Sequence, residues 1–209
     1  MKRQERATAV LRLLKEEYPS VKCTLNYESP IQMLIATQLS AQCTDARVNI
    51  VTESLFKKYP TVYDFAAADY DELCEDIRSA GFYRSKAKNI ISAANRIIDV
   101  YGGEVPNTMD DLLSLAGTGR KTANLVLGDI FKKTAIVVDT HCIRLSNRIG
   151  LTRNPDPVKI ENDLRKIIPP TESLDFCHRL VNHGRAVCTA RKPKCDTCII
   201  REFCLQKGI

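Results

Sequence analysis

Apolar positions along this chain recur at helical spacing. Ala7, Val10, Leu11 and Leu14 share one face near the start, and Leu164, Ile167 and Ile168 repeat the pattern late in the sequence. Sustained alternation of apolar and polar residues, the mark of a half-buried strand, is hard to find. Breakers separate the runs: Pro19, Pro30, Pro60, Gly102-Gly103, Pro106 and Pro169-Pro170 bound segments of ordinary helix length. Asp156-Pro157 has the form of an N-cap followed by proline at the first helical position, where the missing N–H would have no partner anyway. The pattern predicts an all-α protein of about ten short helices joined by tight loops, without a fixed-period repeat or a low-complexity linker. Composition does not mark a domain border.

One loop between predicted helices carries unusual chemistry. Leu115-Ala116-Gly117-Thr118-Gly119-Arg120-Lys121-Thr122-Ala123 follows a short helix predicted from Met109 to Leu115 and opens another running to about Phe131. Gly117 and Gly119 let the backbone turn sharply and expose amide N–H groups where a helix begins and partial positive charge collects. Such a nest accepts a phosphate oxygen, although a bare turn between helices uses glycine pairs as well. Ala123, Val126, Leu127 and Ile130 form one apolar face of the second helix, and Lys121 projects from roughly the opposite side. Its amine is either one more phosphate contact or a nucleophile able to attack a sugar carbon and form a Schiff base.

Beyond this helix the apolar run Ala135-Ile136-Val137-Val138 delivers Asp139, followed by Thr140-His141 and the basic-apolar stretch Cys142-Ile143-Arg144-Leu145. Asp139 is placed to cap a helix, and capping does not exclude catalysis: a carboxylate beside a lysine can assist its deprotonation or stabilise an oxocarbenium ion. His141 alone is uninformative.

At 209 residues the chain can form one large domain or two small ones, with an ordinary apolar fraction of 44%. The formal charge of +6 suits a polyanionic partner without requiring one. The charged opening Met1-Lys2-Arg3-Gln4-Glu5-Arg6 precedes an amphipathic segment, so neither a signal peptide nor a membrane span is expected and the chain is expected to work inside the cell, in the cytoplasm.

Four cysteines crowd the end of the sequence: Cys188, Cys195, Cys198 and Cys204, spaced C-x6-C-x2-C-x5-C. Four thiolates in so short a stretch repel one another unless a cation or an iron–sulfur core compensates them. Disulfides belong to oxidising compartments and nothing here suggests export. Spacing leaves a tetrahedral zinc site and an iron–sulfur cubane both open. The other cysteines, Cys23, Cys43, Cys74, Cys142 and Cys177, are scattered among apolar neighbours and read as buried thiols.

Taken together, L-A-G-T-G-R-K-T-A, the run V-V-D-T-H, the terminal cysteine quartet and Leu39-Ser40-Ala41-Gln42-Cys43-Thr44-Asp45 resemble the endonuclease III family of helix–hairpin–helix DNA glycosylases over the whole chain. The resemblance implies a [4Fe–4S] cluster on Cys188, Cys195, Cys198 and Cys204 with a structural part. It also implies a basic loop between the first two ligands, where Arg191, Lys192 and Lys194 would meet DNA phosphates. Gly117, Gly119 and Arg120 would contact the DNA backbone as well. Lys121 takes the position of the family's nucleophile and Asp139 that of its catalytic carboxylate.

The implied function is base excision repair by a bifunctional DNA glycosylase and AP lyase that removes oxidised pyrimidines from duplex DNA and cleaves the abasic site by β-elimination. Rotating a base out of the stack leaves a gap, and Gln42 and Phe82 are the candidates to fill it, Phe82 having a core position as its alternative. His141 would lie near the pocket. The family fold implies two lobes: a six-helix barrel over 23–134, and a cluster-bearing lobe of 1–22 and 135–209. DNA would cross the cleft between them, with Lys121 and Asp139 facing each other. A monomer working at the nucleoid would suffice. The rivals are a monofunctional mismatch glycosylase, which typically lacks the lysine and has a further C-terminal domain, and a non-catalytic DNA-binding module. The pairing of Lys121 with Asp139 and the end of the chain at Ile209 speak against them.

Overall fold

The structure, a computed structural model, describes residues 1–208. In chain order the α-helices are α1 Arg3–Glu17, α2 Pro30–Leu39, α3 Asp45–Lys58, α4 Val62–Ala66, α5 Tyr70–Asp76, α6 Tyr83–Tyr101, α7 Met109–Leu113, α8 Arg120–Asp129, α9 Thr140–Ile149, α10 Pro157–Arg165 and α11 Ser173–Ala186. Short 3-10 turns lie at Arg78–Ala80, Pro170–Glu172, Cys195–Thr197 and Arg201–Phe203, and there is no strand among the described residues. Side chains set the boundaries. Thr44, Thr61, Asp69, Thr108, Asp139 and Asp156 each accept a first-turn N–H as N-caps, and Pro30 and Pro157 stand in the first turns of α2 and α10. The chain divides into two compact units, Cys23–Lys132 and a discontinuous one joining Met1–Lys22 to the chain from Lys133 onward.

In the unit of residues 23–132, α2 is buried from Ile31 to Leu39 and α8 from Thr122 to Gly128, and the two pack on each other. The single apolar face predicted for α8 is therefore too narrow, because neighbours cover the helix on nearly every side. Around this pair, α6 packs on α4 and α5, burying Ala87, Ile90, Ala93, Ala94 and Ile97 at the predicted helical period. Phe65 is fully buried and stacks on Tyr59 with ring centroids 5.3 Å apart.

The other unit packs α9 against α11 and α10, and α1 against α11. Arg6 Nε donates to Phe203 O at 3.0 Å and Gln4 Nε2 to Ile167 O at 3.0 Å, fastening the first helix to the late segment. The late apolar pattern predicts helix through Ile168. The helix stops at Arg165 instead, and Ile167 and Ile168 are buried in the turn before Pro169, which disfavours a helical conformation in its predecessor.

Candidate active site and metal centre

The hairpin follows α7. Leu112 and Leu115 are buried, and Thr118 N donates to Leu115 O at 3.1 Å to close the turn. Gly117 holds φ +74°, and a Cβ there would come within 2.9 Å of Asn89 Cβ, so only glycine fits. Gly119 departs from the expectation of a glycine pair used for turning: as N-cap of α8 it has φ −91° and ψ 175°, which any residue adopts, and nothing lies within 4 Å of a Cβ added there. Its missing side chain leaves room rather than bending the chain. No side chain caps α8, so its first-turn amides face outward at the positive end of the helix dipole. Gln38, buried in the last turn of α2, braces the loop by donating from Nε2 to Ala116 O at 2.9 Å and Thr118 Oγ1 at 3.2 Å.

Arg120 and Lys121 open α8, and Lys121 is exposed while the following residues of the helix are buried. Beside the hairpin an open cavity of about 200 Å³ is bordered by Gln38, Gln42, Phe82, Ser85, Asn89 and Gly117. Gln42 and Phe82 are both exposed and both left-handed, at φ +55° and +50°, a costly conformation for residues other than glycine. Phe82 is 65% exposed, so it is not part of the core.

In the other unit the buried run Ala135–Val138 belongs to neither helix nor strand, and it ends at Asp139. Asp139 Oδ1 accepts the Cys142 N–H at 2.7 Å, the expected cap of α9. His141 lies on the first turn, with Nδ1 3.1 Å from Arg144 Nη2. Gly184 of α11 lies against it: a Cβ there would stand 2.5 Å from His141 Nδ1.

The four terminal cysteines border one small pocket whose apolar wall includes Leu145, Ile149 and Ile200. Among the described residues no three His, Cys, Asp or Glu side chains draw together enough to chelate a single metal ion. N–H groups address two of the sulfurs, Arg148 Nη1 lying 3.5 Å from Cys188 Sγ and the Gln206 N–H 3.4 Å from Cys204 Sγ, and His183 Nε2 lies 3.4 Å from Cys198 Sγ. Burial first, and the neighbouring cysteines after it, push the Cys198 and Cys204 thiols up, so four bare thiolates here would repel one another. This donor set, with N–H groups on the sulfurs and a low-dielectric wall, fits an iron–sulfur cluster. Arg191, Lys192 and Lys194 are exposed in the loop between the first two cysteines, which is tied by Thr189 Oγ1 to Lys192 O at 2.7 Å.

Sequence reading missed the side chains that hold this segment. Arg144 donates to Cys188 O and Gly184 O, and Arg148, only 8% exposed, to Thr189 O at 2.7 Å and Ala190 O at 2.8 Å. Their i,i+4 spacing on a helix was the available signal. His183 was missed too. Burial lowers its imidazole to about 4, so the ring is neutral near pH 7, and Tyr18 Oη lies 3.2 Å from its Nδ1. One expectation for the remaining cysteines needs correction. Cys43 is only half-buried, because it lies in the exposed turn after α2. Cys23, Cys74, Cys142 and Cys177 are buried, as expected.

Residues 35–170 match the family model of the HhH-GPD superfamily of base excision DNA repair proteins, and residues 188–204 that of the iron-sulfur binding domain of endonuclease III. Fold and site thus define a helix–hairpin–helix repair protein with an iron–sulfur domain. The sequence is 49% identical over 203 residues to the endonuclease III of Synechocystis sp., covering 97% of this chain and 93% of that one. Two solved structures, a non-covalent endonuclease III–DNA complex and a trapped endonuclease III–DNA covalent intermediate in an estranged-adenine complex, each match with a TM-score of 0.94 at 42% identity, over 99% of this chain and 97% of theirs. The chain belongs to the endonuclease III family, and its cofactor is a [4Fe–4S] cluster.

Proposed function

We propose that this enzyme, a DNA glycosylase with AP lyase activity in base excision repair, works through Lys121 as nucleophile and Asp139 as the assisting carboxylate. The observation that carries the reading is Lys121 standing exposed on the first turn of α8, directly after the glycine hairpin, in a chain so similar to one trapped covalently on DNA. The hairpin amides receive a backbone phosphate, and Gly119 leaves room for its approach. The target base leaves the stack because its glycosidic carbon is unreachable within it. The neutral Lys121 amine forms a bond to that carbon as the bond to the base breaks, and the base departs with a proton. The sugar ring opens to a Schiff base, loss of a proton from the adjacent carbon expels the 3′ phosphate, and water releases the lysine. Asp139 takes up the proton that the lysine nitrogen loses on attack, passes it to the departing base, and stabilises positive charge on the sugar.

Cys188, Cys195, Cys198 and Cys204 would hold the cluster, which cross-links this segment when bound. Arg191, Lys192 and Lys194 meet phosphates, and His141 lies near the extruded nucleotide. The preferred substrates are oxidised pyrimidines in duplex DNA, thymine glycol and dihydrouracil being representative. The enzyme acts as a monomer at the nucleoid, where that DNA lies, and no helix among the described residues is long and apolar enough to cross a membrane.

The test is borohydride trapping on duplexes carrying thymine glycol or an abasic site, with Lys121→Gln alongside. An adduct on both that disappears in Lys121→Gln, while DNA binding stays within about twofold, is the expected outcome. Strand cleavage by Lys121→Gln at the full rate would remove Lys121 from the mechanism. Trapping on the abasic duplex alone would remove thymine glycol from the substrates.

A further inference from the structure

Lys86 lies in the first turn of α6 with only 6% of its surface exposed, and its ammonium donates to two carbonyls from separate elements: Leu39 O at 2.8 Å and Ala80 O at 2.9 Å. Leu39 is the last residue of α2 and Ala80 the last of the 3-10 turn, where a cation meets unpaired carbonyls and the negative end of a helix dipole. Three residues after Leu39 comes Gln42, and two after Ala80 comes Phe82. Among the described residues only four other than glycine have positive φ, and these are two of them. Both border the cavity that Gly117 of the hairpin also borders, and Lys86 N donates to Phe82 O at 3.0 Å, so the same residue holds that loop by backbone and side chain. A strained, exposed residue keeps its conformation only where its surroundings over-determine it. Burial disfavours the charge on Lys86 and lowers its pKa, which a lysine serving only as spacer would avoid.

We propose that Lys86 is a positioning residue: its buried ammonium locks the loops of Gln42 and Phe82 into one rigid probe, so that both side chains enter the duplex together when a nucleotide is extruded. Lys86 touches no DNA and takes no part in bond cleavage. The inference rests on the glycosylase and lyase reading above and assigns that site a further part. It predicts a dependence on substrate form, because a single strand has no stack to open and no gap to fill.

The experiment compares Lys86→Met and Lys86→Arg holoenzymes with the unaltered enzyme in single-turnover assays on a thymine glycol duplex and on a single-stranded oligonucleotide with an abasic site. Lys86→Met is expected to slow the duplex reaction at least about tenfold and leave single-strand cleavage within about twofold, and Lys86→Arg to recover most of the loss. In a Gln42→Ala/Phe82→Ala background, adding Lys86→Met should change the duplex rate less than about twofold, since the probe is already gone. An equal loss on both substrates, an undiminished duplex rate, or a full tenfold loss in the double-alanine background would each overturn the proposal. Should Lys86→Met not fold, Lys86→Gln, which keeps a donor for one of the two carbonyls, is judged by the same split. Absence of cleavage by the unaltered enzyme on either substrate would instead refute the underlying reading.

Discussion

Gly117 and Gly119 look equivalent in sequence but make different demands. At φ +74° and 2.9 Å from Asn89 Cβ, an alanine at 117 is both strained and crowded, so Gly117→Ala should cost about 1–3 kcal/mol in a thermal melt. Gly119 is extended with open space around it, so Gly119→Ala should change stability by less than about 0.5 kcal/mol while weakening DNA binding, as a titration would show. Similar divergence separates apparently similar side chains elsewhere. Lys121 and Lys86 are both lysines in the first turn of a helix, yet one is exposed and the other encloses its ammonium between carbonyls. Residue type and local pattern made the first a candidate. The partners of the second come from Leu39 and Ala80, and no local pattern announces a distant carbonyl.

At the scale of elements, α9 does two jobs. Its first turn is fixed by the Asp139 cap, and Arg144 and Arg148 on its later turns grip the carbonyls of the cysteine segment. A carboxylate assigned to catalysis and the cysteine segment are thus held by one rigid rod. Arg148→Met would keep most of the aliphatic packing but leave the Thr189 and Ala190 carbonyls without their donors. A loss of about 2–3 kcal/mol is expected, together with faster bleaching of the visible cluster absorbance under chelator. The caps of α9 and α10 were legible because a capping aspartate works within a few residues of itself. The end of α10 and the all-round burial of α8 were not, since the packing of neighbours decides them.

For the molecule as a whole, the excess positive charge acquires meaning only through its location. Arg191, Lys192 and Lys194 lie exposed in one loop, and replacing all three with glutamine should flatten the dependence of log affinity on log salt by about 2–3 units of slope, because each phosphate left without its cation takes away about 0.9. Acid should act on the unit that carries this loop. Lys15, then Arg179, hold the Glu172 carboxyl below its usual 4.5, and Thr152, then Asn154, hold the Asp163 carboxyl below its usual 3.8. Both groups bind fewer protons folded than unfolded, so their stabilisation is complete above about pH 4.5 and is lost as pH falls through the lowered folded values. Melting temperatures should hold steady down to about pH 4.5 and then fall, and the fall should be shallower in Glu172→Gln.

The sequence by itself determined the helical class, the caps, the hairpin, the candidate nucleophile and carboxylate, and the cysteine set, because each is written in spacings of a few residues and in side-chain chemistry that acts locally. The choice that spacing left open between zinc and a cubane was decided by the match to an iron–sulfur domain, and the cavity ringed by sulfurs agrees with it. Tertiary structure alone decided that Phe82 stands out from the surface, that Gln42 joins it beside Gly117, that Arg148 and His183 lie against sulfurs of the cysteine quartet, and that Lys86 ties two loops together. These contacts join residues far apart in the chain. Whether a polar group meets its partner there depends on how helices pack, a property of the folded ensemble of elements that no single segment contains.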